Sequence, residues 1–345
     1  MKDEKKLIDT FDFKSNKARR LLQKAKIFIL IRTSVISLII LILLCGIIVI
    51  LNTVILNHIA IDVLANEQIF DLVARPNIYM SQYQINDGFL AGELDYVTYR
   101  IVGNRAVYNG TYKISYNSIP VVAGIYGYSD RGQLTQIEVE DGYSYYNKVG
   151  LREMSFYHPY IEYKTYQNDL IMLDKIGENK YLEMSLSFDK DYSLEEVQSM
   201  FPSEVKLAWY WVNTYSEEDL NRIKGQYVEL IDNEGQKTDE KAYQEPKVLF
   251  AHQIYGMKGT TSTGEIIKNP YNSFIEAINA GLNRKYNQTQ FKMLFDKLRN
   301  GKEKITKDDI RIIGVVVTCD TTSMKLLKDL SFIKASTLGT VIDKF

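Results

Sequence analysis

The sequence predicts an α+β protein carried on a single N-terminal transmembrane helix. Three observations lead there. Thr33–Leu56 is a 24-residue stretch without a charged residue, longer than the about 20 apolar residues that a helix needs to cross a hydrocarbon core ~30 Å thick. Beyond it, polar residues alternate with aromatic or β-branched ones between Gly and Asn breaks, the period of strands. Near the C-terminus the pattern switches twice from period two to helical spacing and back, which reads as two strand–helix–strand units around one sheet, a ferredoxin-like part.

A lipid-embedded segment must satisfy its own backbone hydrogen bonds, so the crossing is a helix. Residues 1–32 hold ten Lys or Arg against four acids, a net of +6, and 32 basic against 39 acidic residues follow the span, a net of −7. Basic flanks stay in the cytoplasm, so the head is expected inside and the tail outside, in a single-pass protein of the cell membrane. A cleaved secretory signal fits poorly: the head is too long and no small-x-small site follows the apolar run.

In the head, Leu7, Ile8 and Phe11 form one helical patch with Phe13 just beyond, and Ala18, Leu21, Leu22 and Ala25 form a second at i, i+3, i+4 and i+7. Cations, Arg19 and Arg20 among them, fill the other faces. Such a segment suits anionic lipid, with its stripe in the acyl boundary. It suits equally the groove of a cytoplasmic partner.

The tail is large enough for one big domain or two modest ones. The chain's two cysteines are Cys45, inside the span, and Cys319, outside it, so no intrachain disulfide is expected. Heavy use of Tyr, Lys, Ile and Asn with so little Cys suggests a low-GC bacterium. Asn57 to about Arg75 reads as a continuing helix or stalk ending at Pro76, and Tyr96–Tyr146 as a meander of strands. The Tyr-rich stretch 143–166 suits half-buried strands better than a carbohydrate platform.

Farther on, Leu182, Met184, Leu186 and Phe188 alternate with Glu183, Ser185 and Ser187 in a strand. Ser193-Leu-Glu-Glu196 is a capping box opening a helix that Pro202 stops. Val205, Leu207, Trp209 and Trp211 alternate again. A second box, Ser273-Phe-Ile-Glu276, opens a helix burying Phe274, Ile278 and Leu282, with an awkward Gly281. The next helix stacks Phe291, Leu294, Phe295 and Leu298 and stops at Asn300-Gly301. Ile312–Cys319, Thr321–Leu330 and Ile333–Ile342 make the closing strand, helix and strand. The chain thus divides into a cytoplasmic segment (1–32), the span (33–56), a juxtamembrane β-rich region (57–170) and an α+β domain (171–345).

No catalytic constellation stands out, and the protein is not expected to be an enzyme or to need a cofactor. His58, His158 and His252 are isolated, and no Cys/His pair has metal-ligand spacing. Gly259-Thr-Thr-Ser-Thr-Gly264 has the glycine spacing of a phosphate loop, but Glu265 stands where Lys is required. Asp308-Asp309 reads as helix N-terminal charge.

The ends of the chain carry a resemblance. Phe13-Lys…Lys17-Ala-Arg-Arg20, leading into a basic-then-apolar helix, resembles the sigma factor regulator N-terminal region. Ile312–Cys319 followed by Leu326-Leu327…Leu330-Ser-Phe-Ile-Lys-Ala-Ser-Thr-Leu-Gly339 resembles the sigma factor regulator C-terminal domain. Proteins of this family are single-pass anti-sigma factors of Gram-positive bacteria, similar to the anti-sigma-M type. The resemblance implies that the head binds an extracytoplasmic-function sigma factor and keeps it from RNA polymerase. The outer domain would sense or transmit an envelope-stress signal.

The chain lacks the His-x3-Cys-x2-Cys signature of zinc-containing anti-sigma domains, so the head would bind as a peptide, or with a second small membrane protein. The residues expected to bind the partner are Leu7, Ile8, Phe11, Phe13, Arg19, Arg20, Leu21 and Leu22. No direct nucleic-acid contact is expected. The rival reading is a surface-anchored binding protein for an envelope polymer, with the head only a topogenic signal.

Overall fold

In a computed structural model, which describes residues 16–119, 127–128, 134–139, 142–231 and 237–344, one helix dominates. Helix α1 runs unbroken over Asn16–Asp71, 56 residues and so ~84 Å at 1.5 Å per residue. Apolar side chains from Ile27 to Leu51 stand exposed along it. The expected stalk from Asn57 to Arg75 is not free-standing. Leu56, Ala60 and Val63 are fully buried and pack on Leu94, Tyr96, Ile114 and Tyr116, so the outer end of the apolar stretch belongs to the folded core. Each fully buried Leu or Val contributes roughly 1.5–3 kcal/mol, enough to fix the helix to the sheet.

That sheet is a meander of β1 (Ile78–Asp87), β2 (Ala91–Val102) and β3 (Arg105–Asn117), with the short β4 (Gly127–Tyr128) beside β3. The meander begins well before the expected Tyr96, at Ile78, directly after the Pro76-Asn77 break. β5 (Thr135–Val139), β6 (Gly142–Tyr146) and β7 (Arg152–Glu153) form a three-stranded sheet, followed by β8 (Ser155–Phe156) and the short α2 (Leu173–Ile176). The Tyr-rich stretch is partly strand and partly irregular. Tyr157 and Tyr163 are buried in a core cluster with Trp209 and Trp211, which favours the packing role over a platform.

The second half is built on β9 (Lys180–Tyr192). The box at Ser193 opens α3 (Leu194–Met200): Ser193 Oγ accepts from the Glu196 N–H at 3.2 Å, and the Glu196 carboxylate accepts from the Ser193 N–H at 2.6 Å. Then come β10 (Lys206–Val212), α4 (Glu217–Ile223), β11 (Gln226–Ile231), β12 (Lys237–Gln244), β13 (Leu249–Phe250) and β14 (Gly256–Lys258). Helices α5 (Pro270–Leu282) and α6 (Gln288–Arg299) precede β15 (Ile312–Asp320), α7 (Thr321–Lys325) and β16 (Ile333–Asp343). The large sheet has the order β14-β10-β15-β9-β16, antiparallel throughout. Its apolar face is covered by α3, α5 and α6 and receives Phe70, Val73 and Ala74 from the foot of α1.

Four local expectations change. Helix α5 starts at Pro270, after Asn269, instead of at the Ser273 box; Pro suits the first helical turn because its missing N–H would have no partner there. Gly281 is explained by contact: a Cβ there would lie 2.2 Å from the Phe291 ring. In β10 a bulge between Leu207 and Trp209 inserts Ala208. Leu207 therefore packs on the helical face while Trp209 and Trp211 join the opposite cluster. Finally, the polar side of β9 is not solvated: Glu183, Ser185 and Ser187 are at most 1% exposed. Ser185 Oγ donates to the Ser155 carbonyl at 2.8 Å and Ser187 Oγ accepts from the Tyr157 N–H at 2.9 Å, so the segment after β7 covers this face.

The glycine-spaced loop is a turn held by its own backbone, with the Thr261 N–H donating to Glu265 O. Asp309 caps a short 3-10 turn by accepting from the Thr306 N–H at 2.8 Å.

Candidate functional site

Of the eight residues expected to bind a partner, Leu7, Ile8, Phe11 and Phe13 lie outside the described residues. Arg19, Arg20, Leu21 and Leu22 occupy the first turns of α1 and are exposed, Leu21 at 65% and Leu22 at 46%. Four consecutive helical residues turn through about 100° each, so they surround the helix, and the apolar face is the Ala18, Leu21, Leu22, Ala25 stripe. No break separates this basic turn from the apolar stretch.

The other end of α1 enters a buried network of charges that the sequence did not announce. Glu67 is fully buried; its carboxylate accepts from Arg75 Nη2 at 2.6 Å, from the Tyr96 hydroxyl at 3.0 Å and from Asn287 Nδ2 at 3.3 Å. Asp71 lies 3.5 Å from Arg75 Nη1 and 3.5 Å from Lys258 Nζ. The Arg75 guanidinium also sits 5.1 Å from the Tyr112 ring and 5.5 Å from that of Tyr96, while Lys258 Nζ is 4.5 Å above Tyr79. Burial lowers the Lys258 pKa, against the pull of Asp71, and its ammonium donates to the carbonyls of Arg75 and Ile78. These bonds hold the turn in which Arg75 and Asn77 adopt φ of 59° and 49°, a left-handed geometry unfavourable for a bulky side chain.

Asn77 links this group to a second. Its Nδ2 donates to Glu183 on β9 at 2.7 Å and to the Ile101 carbonyl at 2.9 Å. Glu183 in turn accepts from Arg100 Nη1 at 3.0 Å, and Arg100 Nη2 reaches Glu153 at 2.5 Å. Arg100 Nε donates to Asn109 at 2.7 Å, and Asn147 Nδ2 donates to Glu153 at 3.1 Å. Arg100 is wholly enclosed. Burial alone would lower its pKa, but Glu153 and Glu183 outweigh burial and hold it above the ordinary guanidinium range. The chain of contacts thus runs from α1 through Asn77 to the large sheet, the meander and the β7 strand.

A cavity of about 320 Å³ opens onto both groups. Phe70, Arg75, Tyr112, Glu153, His252 and Tyr255 are among its walls. A second cavity, of about 410 Å³, borders Asp71, Tyr79, Lys258 and Thr260. Each presents aromatic faces and polar atoms, the makeup of a small-molecule or peptide-group site.

Burial lowers His158 to about 4, keeping it neutral among Tyr160, Trp211 and Tyr215. Burial pushes Cys319 up to about 12. Among the described residues no group of three His, Cys, Asp or Glu side chains is placed to hold a metal ion. Glu67, Asp71 and Arg75 recur every four residues in the sequence, but α1 ends at Asp71 and Arg75 reaches back to both from the left-handed turn beyond it. The rest of the network converges from distant positions.

Residues 19–107 match the family described as Sigma factor regulator N-terminal, and residues 173–340 the family described as Sigma factor regulator C-terminal. No curated protein and no solved structure matches the chain. The N-terminal match takes in α1 together with β1 and β2, the elements joined by the Glu67–Tyr96 and Asn77–Ile101 bonds. The C-terminal match covers the large sheet from β9 to β16. With both modules in one polypeptide, the chain belongs to the sigma factor regulator family, a membership that supports an anti-sigma role.

Proposed function

We propose that the protein is a membrane-anchored anti-sigma factor of a Gram-positive bacterium. Its head, residues 1–32, is cytoplasmic and holds an extracytoplasmic-function sigma factor. Residues beyond the span are outside and sense or transmit an envelope-stress signal. The observation that carries this reading is the continuity of α1, which begins in the basic head and ends in the Glu67–Asp71–Arg75–Lys258 cluster. A rigid rod fixed by buried ion pairs at one end transmits rotation or displacement to the other, as a flexible stalk would not. The charge asymmetry across the apolar stretch supports the orientation.

The sigma factor would be gripped by Leu7, Ile8, Phe11, Phe13, Leu21 and Leu22, with Arg19 and Arg20 steering an acidic surface toward them. Anionic lipid competes for the same faces, and a second small membrane protein would complete the weak peptide site. The division at 32, 56 and 170 follows from this assignment. Disregarding the edge strand β14, the order β10-β15-β9-β16 and the helices after β9 and β15 support a ferredoxin-like reading of the large sheet.

Deletion of residues 2–26 with export preserved tests the function. A strongly induced sigma regulon and loss of sigma factor from membrane pull-downs are expected. An unchanged regulon would overturn the anti-sigma assignment and leave the polymer-binding alternative.

A further inference from the structure

The tip of the β1–β2 hairpin, Gly88-Phe89-Leu90, stands beside α1 at a level where the helix is still apolar. Asn52 clamps it from the helix side: Asn52 Nδ2 donates to Gly88 O at 3.1 Å, and its Oδ1 accepts from the Leu90 N–H at 2.8 Å. Leu90 is held at φ 64°, a left-handed conformation that a leucine rarely adopts, and its carbonyl accepts from the Ser118 N–H at 2.9 Å. The result of this strained, doubly held turn is that Phe89 projects outward, 67% exposed, with Ile119 exposed at 37%. Nothing in the core requires a phenylalanine there.

The axial position gives it a meaning. Arg32 is the last cation before the charge-free stretch, and Asn52 is its first amide. They are 20 residues apart, about 30 Å along a helix axis, which is the thickness of the hydrocarbon core. If Arg32 marks the inner boundary, Asn52 and the tip bonded to it lie at the outer one. Val54 and Ile55, 51% and 45% exposed, continue the apolar surface past that level. Phenylalanine is among the side chains that interfacial segments bury at the headgroup–acyl boundary.

We propose that the Gly88–Leu90 tip is a second membrane-contact site: Phe89 and Ile119 enter the outer interfacial layer of the bilayer, and Asn52 fixes their depth. The inference rests on the single-pass reading and adds to it. A domain joined to lipid only through one helix is free to lift and tilt, whereas one seated on a hairpin tip keeps α1 at a set angle and height. Bilayer thickness or surface composition then acts on the same rod that carries the head.

The test uses the full-length protein reconstituted in phosphatidylcholine–phosphatidylglycerol vesicles whose acyl chains are brominated either near the carbonyl or near the chain end. Phe89→Trp adds an emitter at the tip and Leu41→Trp one at mid-helix, each read as the difference from the parent with Trp209 and Trp211. Phe89→Trp emission is expected to fall by about half with the shallow bromines and less with the deep ones, and to resist aqueous acrylamide. Leu41→Trp is expected to show the reverse depth preference. If Leu41→Trp is quenched but Phe89→Trp is not, the tip faces water and the inference is overturned while the anchor stands. If neither is quenched, the anchor reading fails and takes the inference with it.

Discussion

Arg100→Met removes the cation that lies between two buried carboxylates. Glu183 is fully enclosed and Glu153 only 10% exposed at the side chain, so the change strands negative charge with little solvent to compensate it. Asn77, the Thr340 N–H and Asn147 remain as donors, but none carries charge. Breaking a buried pair from one side costs ~3–5 kcal/mol, a loss on the order of 10 °C in melting temperature for a domain of this size. The assay is thermal unfolding of the full-length protein in detergent, followed by near-ultraviolet circular dichroism of the buried Trp209 and Trp211.

Two companions sharpen the result. Arg100→Lys keeps the charge but cannot serve Asn109, Glu153 and Glu183 together, so it is expected to recover only part of the loss. Arg100→Met with Glu153→Leu and Glu183→Met removes the charges as a set and should be markedly more stable than Arg100→Met alone. An Arg100→Met loss below about 1 kcal/mol, the range of exposed ion pairs, would refute the claim that these groups are largely withdrawn from solvent.

Gly281→Ala sets about 1 kcal/mol of helix propensity against an overpacking cost of ~1–3 kcal/mol, and the 2.2 Å approach to the Phe291 ring puts this site at the costly end. A lower melting temperature is expected, and an equal or higher one would show that α6 yields freely. Asp320 is held down at about 2, first by the Ser323 N–H and then by Lys344. A depressed carboxylate stabilises above its unfolded value near 4 and loses that contribution as pH falls toward about 2. Acid unfolding of Asp320→Asn should therefore depend less steeply on pH across that window, and an unchanged slope would count against a carboxylate held down by Ser323 and Lys344. Cys319, buried and raised to about 12, should resist maleimide at neutral pH until the protein is unfolded; mass spectrometry of the native protein showing rapid labelling would contradict its burial.

The sequence by itself determined the elements whose information is local. A charge-free run of 24 residues has no alternative to a long helix, and the Ser193 box, the Asn300-Gly301 stop and the alternation in β9 act within a few residues. The family resemblance was legible for the same reason, because its motifs are contiguous. What only the tertiary structure decided is the fate of each polar face. Glu183, Ser185 and Ser187 have the pattern of a solvated strand face, and became buried because the segment at Ser155–Tyr157 lies over them. Arg100 pairs with Glu153 and Glu183 across 53 and 83 residues, and pairing across such separations leaves no spacing in the sequence. The depth of the hairpin tip was equally invisible, because a 36-residue separation joins Asn52 to Gly88. Periodicity records which residues share a face, and only packing decides what that face meets.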